Sequence, residues 1–240
     1  LMVSQLSSPK IISKYDRDIS HLFSRYNINS DSDDNLLSIC NQKQINISFL
    51  IDLINCYNDL TNLNKTNFTN YSVLDLVDYL EKSHDFYLNK RIPEIEQSLN
   101  KSCVQQKFTF NLLLLNFFQV YKKDIISHFE TEETILFPFC KILCRYSKMK
   151  QHEDLVYVLE NKDAVLDYMD IHKKNNDEVG DLQKLLLKYS PSNNHLSYFE
   201  IFLNQMSIFQ KDLKIHAEIE ENILMEKIKI HLSNFEIKDV

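Results

Sequence analysis

The sequence predicts an all-α protein, with a small helical domain over residues 1–66 and an up-down four-helix bundle over residues 67–240. Three observations carry that expectation. Glycine occurs once in 240 residues, at Gly180, whereas β-hairpins, bulges and phosphate-cradling loops draw on glycine for positive φ. Only four prolines interrupt the chain, and an internal proline is what most often breaks a long helix. Apolar residues make up 44% of the chain, enough for a proper core, and they recur at helical spacing. The scarcity of glycine argues against a β-sandwich, a dinucleotide-binding α/β domain or a P-loop fold.

The elements follow in order. Residues 14–26 (KYDRDISHLFSRY) read as an amphipathic helix with Ile19, Leu22 and Phe23 on one side. The polar NINSDSDDN of Asn27–Asn35 is a turn, and LLSIC and NQKQINISFLIDLINCYNDL supply the other helices of the small domain. TNLNKTNFTNYS, Thr61–Ser72, has no apolar period and reads as a linker, with Ser72 placed to cap the next helix. Four long helical stretches come after it, near 73–101, 107–145, 156–188 and 196–232, with Pro93 expected to bend the first. The core of such a bundle is a standard place for a metal site.

Charge and cysteine content narrow the function. The net charge is −7 and the pI about 5.6, against the basic face that nucleic-acid binding needs. No apolar run reaches the roughly 18–20 residues of a membrane span; the longest, around Leu112–Phe118, is broken by Asn116. The first thirty residues lack the pattern of a signal peptide. Five cysteines without framework spacing suit a reducing compartment, so the expected location is cytoplasmic. Cys140 and Cys144, at i and i+4, read as small apolar residues rather than soft-metal ligands.

The histidines carry the chemistry. His84, His128, His172 and His216 fall one on each long helix, separated by a constant 44 residues. Two of them have a glutamate one turn on, His128 with Glu132 and His216 with Glu220, within the similar segments HFETEETIL and HAEIEENIL. Side chains four apart share a helix face. The chain thus repeats one unit twice, a helix with one His and then a helix with His-x-x-x-Glu. A lone histidine on an apolar face is usually a hydrogen-bonded core residue, but a set at one interval is a ligand set. Four imidazoles and two carboxylates at one level suit a pair of irons, with manganese or zinc as alternatives, and leave positions open for O2, NO or water. The absence of thiolate argues against a structural zinc site. Glu130, Glu133, Glu218 and Glu221 read as a solvated face or as partners of the ligands. His21, His152, His195 and His231 read as surface or packing residues.

These segments resemble the metal-binding helices of hemerythrin-like proteins. More narrowly, HFETEETILFPF, DLKIHAEIEENIL, SHDFYLNKRIPEIE and DIHKKNNDEVGDLQKL, with its Gly180 after His172, are similar to the repair-of-iron-centres (RIC) family. HLFSRYNINSDSDDNLLSICNQKQINISFLIDLIN has the outline of the small helical domain that opens those proteins. The resemblance spans most of residues 15–232. It implies a hemerythrin-like bundle with a dinuclear iron centre, a role in repairing iron–sulfur clusters damaged by nitric oxide or oxidants, and iron–sulfur proteins as clients. It leaves open a homodimer; the alternative function is an O2- or NO-binding or sensing protein without repair activity, and a metal-free helical adaptor comes a distant third. Two departures stand out. Asp31, Ser32, Asp33 and Asp34 occupy the place of the family's adjacent cysteines, which removes thiol chemistry there. Val104-Gln105-Gln106 lies where the family commonly has a further histidine, so one iron would be under-coordinated or take a water or an amide oxygen instead.

Overall fold

A computed structural model describes residues 3–105, 109–175 and 197–236, and every regular element among them is helical. The chain divides into two compact units, one made of Leu1–Phe86 with Asp212–Val240 and the other of Tyr87–Lys211.

The first unit opens with α1 (Pro9–Tyr15) and α2 (Ile19–Arg25). The single helix expected over 14–26 is therefore two helices. The Asp16 side chain accepts a hydrogen bond from the backbone N–H of Asp18 at 2.9 Å, an Asx turn that ends one helix and starts another. Ile19, Leu22 and Phe23 are all buried, as their spacing requires. The acidic turn is held by Lys10, whose ammonium lies 2.8 Å from Asp33. It leads into α3 (Leu36–Lys43), where the Asn35 side chain caps Ser38 N–H at 2.8 Å. Gln44 takes φ 57° to close that helix, and Ile45 N–H then reaches the Cys40 carbonyl at 2.9 Å. Asn46 caps α4 (Ile47–Asn58) in turn.

The segment expected to be a linker is ordered. It forms two 3-10 turns, Leu60–Asn62 and Phe68–Asn70. Phe68 is buried, its ring edge-on to Phe49 at 6.0 Å. One aromatic anchor outweighs a polar surrounding that carries no periodic signal. Ser72 then acts as expected: its hydroxyl accepts from Asp75 N–H at 3.1 Å, and the Asp75 carboxylate accepts from Ser72 N–H at 3.2 Å. This box starts α5 (Val73–Phe86), which buries Leu76, Val77, Leu80 and His84 along one stripe and packs on α2.

The second unit begins with a π turn, Tyr87–Arg91, followed by α6 (Ile92–Gln105). Pro93 has no N–H to offer the carbonyl one turn back and would clash with it. The wider turn just before it absorbs that defect, so the bend expected at Pro93 takes the form of a π turn. The helix α7 (Thr109–Thr131) runs into a second π turn, Glu132–Leu136, and on into α8 (Phe137–Met149). Lys150, at φ 54°, ends α8. The chain returns as α9 (His152–Asn175), which packs along α8. Asp154 near its start binds the Arg145 guanidinium, which holds the carboxyl below its ordinary range. The core includes Tyr87 against Phe129 (5.8 Å) and Phe209 (5.2 Å), and Phe118 against Phe202 (6.4 Å).

The last helical stretch is α10 (Ser197–Ala217), a third π turn (Glu218–Leu224) and α11 (Met225–Glu236). Within the first unit, that π turn packs against α5. Among the described residues no helix is long and apolar enough to cross a membrane.

Candidate metal centre

The second unit brings His128, Glu132 and His172 together. His128 stands one turn before Glu132 near the end of α7, and His172 is near the end of α9. The Nε2 of His128 lies 2.6 Å from Glu132 Oε1, and the Nε2 of His172 lies 3.0 Å from the same oxygen. The two Nε2 atoms are 3.1 Å apart. Three atoms bearing lone pairs therefore meet in a triangle. Such atoms repel unless protons or a cation lie among them. For ligands about 2.1 Å from an octahedral ion, adjacent donor atoms stand about 3.0 Å apart, which is the scale of this triangle. Two imidazoles and one carboxylate on one face of an ion are the donor set of non-haem iron(II) sites with open positions.

Burial sets the electrostatics. Glu132 is fully buried and His172 nearly so, whereas the His128 side chain is 34% exposed. A carboxylate taken out of water is costly unless charge or hydrogen bonds compensate it. Part of that compensation comes from Tyr168, whose hydroxyl donates to Glu132 Oε1 at 3.2 Å. Tyr168 precedes His172 by one turn, and the two rings meet at 5.4 Å. Sequence reading missed this residue, although its spacing from His172 is the same i, i+4 relation that picked out the two glutamates.

The first unit brings His84 and His216 together, with their Nε2 atoms 3.0 Å apart and both rings buried. Glu220 is also buried, and its Oε2 lies 3.7 Å from His216 Nδ1, the nitrogen turned away from His84. Glu220 sits within the third π turn and Glu132 opens the second. Single π turns in otherwise α-helical stretches often mark functional positions. Buried histidine and glutamate groups of this chain could hold a metal ion.

The remaining candidates fall where their chemistry suggests. Glu130 and Glu133 are exposed, and Glu218 and Glu221 are half-buried. His21 packs on Phe86 at 5.6 Å, while His152 and His231 are exposed. His195, Gly180 and Gln106 lie outside the described residues. Cys140 is buried and Cys144 half-buried. Burial pushes the Cys40 and Cys56 thiols up to about 11, which makes them poor nucleophiles. No family model, curated protein or solved structure matches the chain.

Proposed function

We propose that this chain is a cytoplasmic non-haem di-iron protein of the hemerythrin-like kind that takes part in repairing iron–sulfur clusters damaged by nitric oxide or oxidants. The observation that carries the reading is the triangle of His128, Glu132 and His172, a two-histidine, one-carboxylate set at ligand-to-ligand spacing. Its extension to two ions rests on the 44-residue repeat that supplies His84, His216 and Glu220 as a second set, and on the resemblance to the repair-of-iron-centres family. Iron supplies, when bound, open coordination positions and one-electron chemistry toward O2 or NO.

The chain's own residues would divide the work. His128 and His172 would hold one ion and His84 and His216 the other, with Glu132 and Glu220 as the carboxylates of the pair. Tyr168 orients Glu132 and stabilises its carboxylate through a hydrogen bond. The partial exposure of His128 offers small molecules an approach from water. Iron–sulfur proteins would be the clients, and manganese or zinc could replace iron in the same donor set.

A second reading is reversible O2 or NO binding or sensing without repair. It is favoured by the acidic turn Asp31–Asp34, which is engaged with Lys10 and offers no thiol. The deciding experiment starts with the iron content of protein purified with and without oxygen. Two irons per chain are expected, and less than one in both preparations would overturn the metal reading. Restoration of activity to a nitric-oxide-damaged iron–sulfur enzyme would then favour repair. A rapid, reversible optical change with O2 or NO and no restoration would favour sensing.

A further inference from the structure

The first unit holds a buried polar network away from the ligand cluster. Arg25, at the end of α2, is fully buried, and its partner Asp212 on α10 is 3% exposed. One Nη of the guanidinium donates to Asp212 Oδ2 and the other to the Tyr57 hydroxyl. Tyr57, from α4, donates to Asp212 Oδ1, and the Tyr79 hydroxyl stands 3.1 Å from that of Tyr57. The guanidinium carbon also lies 5.0 Å from the Phe86 ring centroid and 5.5 Å from that of Tyr57. Burial holds the Tyr79 phenol up at about 12, so it stays a donor over the whole working pH range.

The placement of these groups connects the network to the metal ligands. Asp212 is one turn before His216 on the same helix. Tyr79 and Phe86 bracket His84 on α5. Arg25 and Tyr57 come from the small N-terminal helices. A guanidinium is a rigid fork that bonds only at fixed angles. A buried charge that loses its partner is severely penalised. Rotation or sliding of α5 or α10 by even part of a turn would break this network and leave Asp212 unmatched.

We propose that Arg25, acting through Asp212, Tyr57 and Tyr79, is a positioning residue for the His84–His216 pair. The N-terminal helices then serve as a clamp that sets the height and rotation of two ligand-bearing helices. This inference rests on the di-iron reading and assigns the N-terminal helices a part in it.

The test is an anaerobic ferrous-iron titration of the full chain against a competing chelator, with thermal melting of the iron-free proteins alongside. The variants are Arg25→Met with Asp212→Leu, Tyr57→Phe, and Arg25→Lys. Replacing both buried charges by apolar groups is often neutral for folding, so the double variant should melt near the wild type. It should keep one iron at wild-type affinity and bind the second about 10- to 100-fold more weakly, the usual cost of losing an outer partner. Tyr57→Phe should shift the second iron in the same direction by less. Arg25→Lys, which keeps charge without the fork, should fall between wild type and the double variant. Two irons bound at wild-type affinity in both the double variant and Tyr57→Phe would overturn the proposal. If the double variant does not fold, Tyr57→Phe decides by the same readout. A wild-type chain that binds no iron would instead overturn the di-iron reading, and this inference with it.

Discussion

The two ligand clusters come from one repeated sequence unit, yet they are built differently. In the second unit a single carboxylate oxygen meets both imidazoles, a tyrosine hydroxyl braces it, and one imidazole is a third exposed to water. In the first unit the imidazoles face each other directly, both are sealed, and the carboxylate reaches the far nitrogen of one ring. A sequence repeat fixes which residue types arrive at a site. It does not fix which oxygen or nitrogen each of them presents, because that depends on local turn geometry and on neighbours such as Tyr168. Of the two clusters, the one in the second unit is the more open to water.

The comparison can be broken by its carboxylates. Glu132→Ala should have the largest effect, costing more than the roughly 10- to 100-fold in iron affinity typical of an outer partner, because Glu132 lies against both imidazoles. Glu220→Ala should cost less than Glu132→Ala, because its Oε2 lies 3.7 Å from one imidazole only. Chelator competition measures both, and equal losses would show the clusters to be equivalent after all. Next in size is a difference in rescue. Added imidazole should restore iron to His128→Ala, whose side chain is partly in water, and should fail with His84→Ala, whose ring is fully buried. Rescue of both, read as iron bound per chain, would remove the distinction between open and sealed. The smallest change is Tyr168→Phe, expected to weaken iron binding about tenfold while leaving the melting of the iron-free protein nearly unaltered. An unchanged affinity would mean that the tyrosine packs against the site without bracing it.

Much of this was legible in the sequence, and the gaps have physical causes. The shortage of glycine and the long apolar stripes pointed to helices, and no other regular element occurs among the described residues. The constant interval singled out His84, His128, His172 and His216, and the structure brings two of them together in each unit. Phe68 was hidden because a single buried ring leaves no periodic trace in a polar segment. The break between α1 and α2 depends on one aspartate folding back on its own backbone, which local composition does not announce. The π turns at Glu132 and Glu220 widen a helical turn by one residue, which the apolar spacing of these segments does not announce. Arg25 and Asp212 stand 187 positions apart, and nothing in either neighbourhood names the other.

The left-handed residues that end segments of this chain carry a consequence for its stability. Asn27, Gln44 and Lys150 hold positive φ with a full side chain attached, a conformation that costs such residues roughly 1 kcal/mol or more. Glycine at Gln44 or Lys150 would remove that clash, although it would also raise the freedom the chain loses on folding. Gln44 and Lys150, each closing a helix, are therefore two places where a glycine could raise stability without touching a candidate ligand.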